Sequence, residues 1–536
     1  MSSSSSSVET STTTARSSSQ HHNNGSSLKQ ITVGLVLCMT VLSIFQSSHS
    51  THSVSQRSLF QQYNSWITQA TAATTSSSNF WLFAATDENN NDDADNKPRE
   101  IGKPLNIVLL YADDWRHDAL GVAGKLPVET PFLDWLSTQK GVRFTHNCVT
   151  TSVCWISRVT LHMGQYLSRH GGAKVMNSSW YQNFNMSFPA LLQQAGYYLA
   201  HIGKWHTADF PKIQGYWNYS TIYYGRHFFP GHPRPLHVTE RNQQDAIRIL
   251  RERPQDKPFQ MTVSFFAPHS EDDNPEQFLP QERSKEVYYQ NITLKPPVNM
   301  TESYARLPHW FGESNIARQR WHARFDEPTK YDKMLKNYYR LITEVDSACQ
   351  AIWQELEAQG ILNETMVIFT TDNGFYHGEH GLAGKWYPHE ESIRVPLIIW
   401  DPRMPNSKQG TTEDAFTLNV DLAPTILGAA NISTPSVMQG QDVAQLYLRE
   451  EETRPGWRKD FFYEYPSIFG KTVIPGSTAV VRKGLKYIQW PEWGTEQLFN
   501  LTSDPQEEQD VIKDPAYAGV LTKLKIRHDS LREWVK

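Results

Sequence analysis

Four short runs of branched and aromatic residues constrain this 536-residue chain more than any other feature. They are Asn106-Ile-Val-Leu-Leu-Tyr111, Tyr197-Tyr-Leu-Ala-His-Ile202, Phe259-Gln-Met-Thr-Val-Ser-Phe-Phe266 and Thr365-Met-Val-Ile-Phe-Thr-Thr371. Three are near-continuously apolar, the pattern of a strand covered on both faces by helices, and Phe259–Phe266 reads as another such strand although Gln260, Thr262 and Ser264 interrupt it. Helical segments fall between them. Thr130-Pro-Phe-Leu-Asp-Trp-Leu-Ser-Thr-Gln-Lys-Gly141 has a capping threonine, a proline at the first helical position and a terminal glycine. Ser187 to Gly196 is punctuated in the same way, and an amphipathic run from about Tyr331 to Gln359 leads into the last of the four strands. Parallel strands need such crossovers, so the order strand, helix, strand predicts an α/β fold on a parallel sheet.

The residues just past these strands are the reactive ones. In sequence order the strands deliver Asp113 and Asp114, then Lys204 and His206, then His269, then Asp372 and Asn373. In an open α/β sheet, ligands bind outside the carboxyl ends of the strands, so the four ends can share one site. Asp113, Asp114, Asp372 and Asn373 form an oxygen-only set that suits a hard divalent cation such as Ca2+. Adjacent carboxylates repel unless a cation or a proton intervenes. Asp-Asp is also a frequent cap and Asp-Asn-Gly a frequent turn, so each alone has an ordinary reading. Their recurrence at strand ends, in one chain with Ser152-Val-Cys154-Trp-Ile-Ser-Arg158, favours a site. Cys154 opens a predicted short helix four residues before Arg158, where helix amides and a guanidinium favour negative charge.

With 39% apolar residues the chain can bury a large core and form two or more folded units. A net charge of -5 excludes the basic field that nucleic acid binding needs. Four cysteines cannot form a disulfide framework; Cys38 lies in the apolar leader, and spacing leaves open whether Cys148 and Cys349 pair. Residues 1–30 read as a disordered polar tail and 47–102 as a low-complexity stalk or linker. Between them, 31–46 is uncharged and apolar, shorter than the roughly 20 residues of a membrane span. It fits a cleaved signal peptide or a type II membrane anchor, and Arg16 and Lys29 ahead of it direct the C-terminal part of the chain to the lumen. Eight Asn-x-Ser/Thr sites after Phe45, at Asn177, Asn185, Asn218, Asn291, Asn299, Asn363, Asn431 and Asn500, agree with a secretory route and a glycoprotein.

Cys154-Trp-Ile-Ser-Arg158 resembles the sulfatase signature Cys-x-Pro/Ala-Ser-Arg, in which the cysteine is oxidised during secretion to formylglycine; Ile156 departs from it. Asn106 to Asp114, Cys154 to Tyr166, Gly203 to His206, Ala267 to His269, Thr370 to Gly374 and Lys385 come in the order of that family. From about residue 103 to the C-terminus the chain resembles the formylglycine-dependent sulfatases of the alkaline phosphatase superfamily. Gly384 to Ile399 and Asp421-Leu-Ala-Pro-Thr-Ile-Leu are similar to carbohydrate and polysaccharide sulfatases. The resemblance implies a mixed, mostly parallel sheet with flanking helices in a catalytic domain over 103–430. It also implies a smaller α+β subdomain over 431–536 carrying an antiparallel sheet.

It further implies one Ca2+ per chain, held by Asp113, Asp114, Asp372, Asn373 and the modified Cys154. Arg158 would hold the formylglycine, Lys204 and His206 would orient its hydrate, and His269 and Lys385 would hold the sulfate and assist the leaving oxygen. The implied partners are a formylglycine-generating enzyme and a sulfated sugar or polysaccharide, met in a secreted, lysosomal, Golgi or cell-surface setting. Trp205, Trp217, Tyr223, Tyr224, Trp310 and Trp386 either stack on sugar rings or fill the core, and core accounts for most of them. Two other readings share these residues. One is a phosphate or phosphonate ester hydrolase of the same superfamily, and the other a non-catalytic binding protein in which Ile156 blocks conversion of Cys154.

Overall fold

A computed structural model describes residues 102–173, 179–207, 209–231, 234–298, 300–449 and 456–536. The tail, the leader at 31–46, nearly all of the linker, Cys38, Asn177 and Asn299 lie outside the described residues.

The predicted strands form the middle of one eight-stranded sheet. Its members are β1 (Asn106–Ala112), β2 (Val142–Phe144), β3 (Tyr198–Gly203), β4 (Tyr219–Ile222), β5 (Phe259–Ser264), β6 (Thr365–Thr371), β7 (Leu397–Trp400) and β8 (Thr411–Glu413). Their order is β8-β2-β7-β6-β1-β5-β3-β4, and the sheet is mostly parallel, with β7 antiparallel to both of its neighbours. Both faces are covered, as the unbroken apolar runs require. Val108, Leu110 and Ala112 pack with residues of α3 (Val238–Glu252) and α4 (Pro328–Ala358). Ile107, Leu109 and Tyr111 point the other way, onto α1 (Cys154–Met163), α2 (Phe188–Gln194) and α5 (Leu422–Ala429).

Two helix expectations are refined. Ser187 does cap α2, accepting from Ala190 N at 3.4 Å. The segment from Thr130 is helical only over Pro131–Trp135, then widens into a π turn over Leu136–Lys140. Thr130 makes no cap there; Asp346 on α4 accepts from Phe132 N at 3.1 Å and Leu133 N at 2.8 Å instead. A carboxylate from a distant helix satisfies the free amides better than a neighbouring hydroxyl, and it locks the two elements together.

The C-terminal region builds its own antiparallel sheet from β9 (Asp460–Tyr465), β10 (Ser477–Arg482), β11 (Leu485–Trp490) and β12 (Thr495–Phe499), with α6 (Ala518–Trp534) packed on it. A third apolar cluster joins this sheet to Val153, Trp155 and Ile156 beside Cys154. Ile156 is thus a fully buried contact with that cluster. Cys148 and Cys349 are both buried and free, in different clusters, so they do not pair. Of the described glycosylation sequons, Asn500 is half-buried and donates from Nδ2 to Tyr517 Oη at 2.8 Å, whereas Asn185 and Asn291 are exposed. Among the described residues no helix is long and apolar enough to cross a membrane.

Candidate active site

Strand register brings the reactive residues together. Ala112 pairs with Thr371, so Asp113 and Asp372 leave neighbouring strands side by side. Ser264 pairs with both Tyr111 and Gly203, which sets Lys204 at the same edge. Cys154 is the first residue of α1, ahead of the amides of its first turn. Lys385 arrives on a tight hairpin, Tyr376–His377 against Ala383–Gly384.

Around the thiol the contacts are polar and dense. Cys154 Sγ lies 3.4 Å from Asp113 Oδ1 and 2.8 Å from Lys385 Nζ. Lys204 is ion-paired with Asp113 and Lys385 with Asp114. Arg158 is committed elsewhere: Nε donates to Asp372 Oδ2 at 2.9 Å, Nη1 to Ser264 Oγ at 2.5 Å and to the Lys204 carbonyl at 3.2 Å. Its guanidinium also lies over the Tyr111 ring, 5.0 Å from the centroid. In this arrangement Arg158 fixes Asp372 and the Lys204 loop. Three acids thus face three cations, each with one main partner.

Asn373 Nδ2 donates to Asp114 Oδ1 at 2.6 Å, and Asp372 Oδ1 accepts from Asp114 N at 3.3 Å. His269 Nδ1 donates to the Ser270 carbonyl at 2.7 Å, which turns Nε2 toward Asp114 Oδ2, 3.6 Å away. Behind it, Ser270 Oγ donates to Asp272, which Arg324 also holds. His206 sits half-buried, its ring 5.9 Å from Trp155 and 5.8 Å from Tyr224. Asp114, His206 and Trp386 have φ of 61°, 73° and 88°. Non-glycine residues in the left-handed region carry strain that is kept where the surroundings over-determine it, often at functional sites.

Two features test the set against a divalent cation. Asn373 Oδ1 is buried without a hydrogen-bond partner among the described residues, a vacant acceptor on a side chain whose Nδ2 holds Asp114. Burial, and then the neighbouring Asp372 carboxylate, push Asp113 up to about 7. A buried carboxylate held up in this way would gain from a further cation, and oxygen donors suit a hard one. Asp113, Asp114, Cys154 and His269 each offer a ligand atom within 4.8 Å of the others. Burial and Lys204 hold both His206 and His269 well below the usual histidine range.

All ten predicted residues therefore meet at one sheet edge. Others had no comparable signal in the sequence. Ser264 holds Arg158, and Tyr338 Oη on α4 donates to the Asp114 carbonyl at 2.6 Å. Of the six aromatic residues considered for stacking, Tyr224 alone is exposed, at 37%; the other five are buried. Phe469, which composition did not single out, is 52% exposed and stacks edge-on to Trp155 at 6.3 Å.

The sulfatase family model matches residues 105–432, and the model described as N-sulphoglucosamine sulphohydrolase, C-terminal, matches 378–534. An N-acetylglucosamine-6-O-sulfatase of Bacteroides thetaiotaomicron is 25% identical over 492 residues, covering 79% of this chain and 85% of its own. A solved structure in complex with D-glucosamine-2-N,6-O-disulfate superposes with a TM-score of 0.68 at 24% identity, over 81% of this chain and 98% of the other. A phosphonate monoester hydrolase of Agrobacterium radiobacter superposes with a TM-score of 0.64 at 22% identity, over 81% and 96%. The chain shares its fold with both of these structures. With more than half its length matched by that family's model, the chain belongs to the sulfatases, enzymes that hydrolyse sulfate esters.

Proposed function

We propose that this sulfatase removes sulfate from a sulfated carbohydrate, using formylglycine made from Cys154 and a bound Ca2+. The observation that carries the reading is the surroundings of Cys154 Sγ, 3.4 Å from Asp113 Oδ1 and 2.8 Å from Lys385 Nζ at the start of a helix. A thiol so enclosed by charges is poorly placed for packing and well placed for chemistry. The carbohydrate rests on the related N-acetylglucosamine-6-O-sulfatase and on the exposed Tyr224 and Phe469 beside Trp155 and His206.

Asp113, Asp114, Asp372 and Asn373 would hold the cation, with the residue-154 side chain completing the set. The aldehyde hydrate and the cation together supply a nucleophilic oxygen and positive charge for in-line attack on sulfur. Lys204 and Lys385 neutralise the equatorial sulfate oxygens, with Lys385 also assisting the leaving oxygen, while Arg158 keeps Asp372 and the Lys204 loop in position. His269, whose Nδ1 proton is committed to the Ser270 carbonyl, would take up a second proton at Nε2 when the anionic sulfate ester is bound and pass it to the departing oxygen. His206, whose Nδ1 has no hydrogen-bond partner among the described residues, is the base for sulfate release.

Mass spectrometry of the peptide spanning Cys154 tests the reading: the secreted protein is expected to carry the aldehyde, and an unmodified thiol would refute it in favour of a non-catalytic protein. Cys154→Ala should abolish aryl sulfate turnover with the fold intact. The likeness to a phosphonate monoester hydrolase supports a second reading, and faster turnover of aryl phosphonate than of aryl sulfate would establish it. The leader at 31–46 and the exposed sequons at Asn185 and Asn291 support entry into the secretory pathway, where a formylglycine-generating enzyme would meet Cys154.

A further inference from the structure

Tyr463 belongs to the C-terminal sheet and is fully buried, yet its hydroxyl reaches out of that sheet. It accepts from the Ser152 backbone N–H at 3.4 Å and donates to the Trp386 carbonyl at 2.7 Å. Those two residues are also bonded to each other, Trp386 N–H donating to the Ser152 carbonyl at 3.2 Å. A closed ring of hydrogen bonds thus ties the residue two before Cys154 to the residue after Lys385. The next residue of β9, Glu464, donates from its N–H to the Thr150 carbonyl at 3.0 Å, extending the attachment along the approach to Cys154.

The Lys385 hairpin needs such a tether. Its flanking residues, Gly384 and Trp386, have φ of 97° and 88°. A Cβ at Gly384 would lie 2.7 Å from the Trp386 ring, so the glycine is required by space as well as by conformation. A tryptophan at positive φ is an outlier that persists only when its surroundings fix it. Here both backbone polar groups of Trp386 are committed, the N–H to Ser152 and the carbonyl to Tyr463.

We propose that Tyr463 is a positioning residue for catalysis: through one buried hydroxyl, the C-terminal sheet sets Lys385 against the nucleophile at position 154. The inference rests on the reading of Lys385 as part of the sulfate site. It assigns the small sheet a part in turnover, with Tyr463 acting through Lys385 and touching no substrate.

Tyr463→Phe keeps the ring and removes the bond. Hydrogen exchange of the full-length protein should quicken at peptides covering 150–155 and 384–388 and stay unchanged over β10 to β12. Aryl sulfate turnover should fall about 10- to 100-fold, with KM within about 3-fold of wild type. Because Lys385 assists the leaving oxygen, rates should depend more steeply on leaving-group pKa, which a general loss of stability would not cause. In a Lys385→Ala background the same change should add less than about 2-fold. Unchanged exchange at both peptides, or a full-sized effect without Lys385, would overturn the proposal. Wild-type turnover by Lys385→Ala alone would instead overturn the sulfate-site reading and with it the catalytic part of this one, while the exchange data would still decide whether the tether exists.

Discussion

Where the C-terminal sheet meets the main domain, Lys486 Nζ lies 2.9 Å from Glu390 Oε1 and 2.8 Å from Glu507 Oε1, with Glu507 Oε2 accepting from Glu390 N at 2.7 Å. At the strand ends, Lys204, Lys385 and Arg158 face Asp113, Asp114 and Asp372 in much the same chemistry. The two clusters differ in what surrounds them. The Lys486 and Glu507 side chains are sealed completely, while Glu390 keeps 14% of its side chain exposed, about as much as His269 at the strand ends. The strand-end cluster includes an unpartnered Asn373 oxygen, is bordered by the half-buried His206 and His269, and has Trp386 at positive φ beside it. A closed ion cluster in a protein interior resists change and ties elements together. An incompletely satisfied one, with strained neighbours, is suited to receive further charge.

Breaking each cluster at its lysine should separate the two roles most clearly. Lys486→Met leaves two buried carboxylates with no ammonium, and a loss of about 3–5 kcal/mol is expected in denaturant unfolding. Turnover per folded molecule should stay at the wild-type level. Lys204→Met should do the reverse, lowering turnover by about 10²- to 10³-fold with a thermal midpoint close to wild type when Ca2+ is present. Lost turnover in fully folded Lys486→Met would break the distinction, because the junction would then be part of the site.

Ca2+ sharpens the same contrast. Titrating the chelated protein with Ca2+ should raise its thermal midpoint, a ligand at 100 times its Kd contributing about 2.7 kcal/mol. Asn373→Ala should move that titration to higher Ca2+, whereas Glu390→Gln should leave it in place. A titration unaffected by Asn373→Ala would remove the vacant oxygen from the proposed donor set.

The sequence made one of these clusters legible and concealed the other, for a physical reason. The strand-end residues sit at fixed offsets from unbroken apolar runs, and parallel register then forces Asp113, Asp372 and Lys204 to one edge. The sulfatase-like order of blocks added Lys385, which no periodicity places, and gave Cys154 its role. Lys486, by contrast, lies inside a short strand whose sequence does nothing to mark it, and its partners come from segments distant in the chain. Asp346 capping a helix more than two hundred residues away and Tyr463 reaching Ser152 were hidden in the same way. Local pattern reports which face of an element is buried; it carries no record of which distant backbone group will need a partner.

The smallest expected effect tests the electrostatics of the closed cluster. Burial pushes Glu507 up to about 7, against the opposing pull of Lys486, while Lys486 and Arg394 draw Glu390 down to about 2. Between about pH 4.5 and 7 the native state keeps a proton on Glu507 that the unfolded chain has released, so this group's contribution to stability falls as pH rises through that window. Glu390 has the opposite slope: its contribution is present above about pH 4.5 and is lost as pH falls toward 2. Glu507→Gln removes the first term and leaves the second. Relative to wild type, the variant's thermal midpoint should therefore gain about 2 °C between pH 5 and pH 8, with no change in its decline below pH 4. A difference from wild type that stays flat from pH 5 to 8 would mean that Glu507 is already ionised in the folded protein, so that Lys486 faces two charged acids.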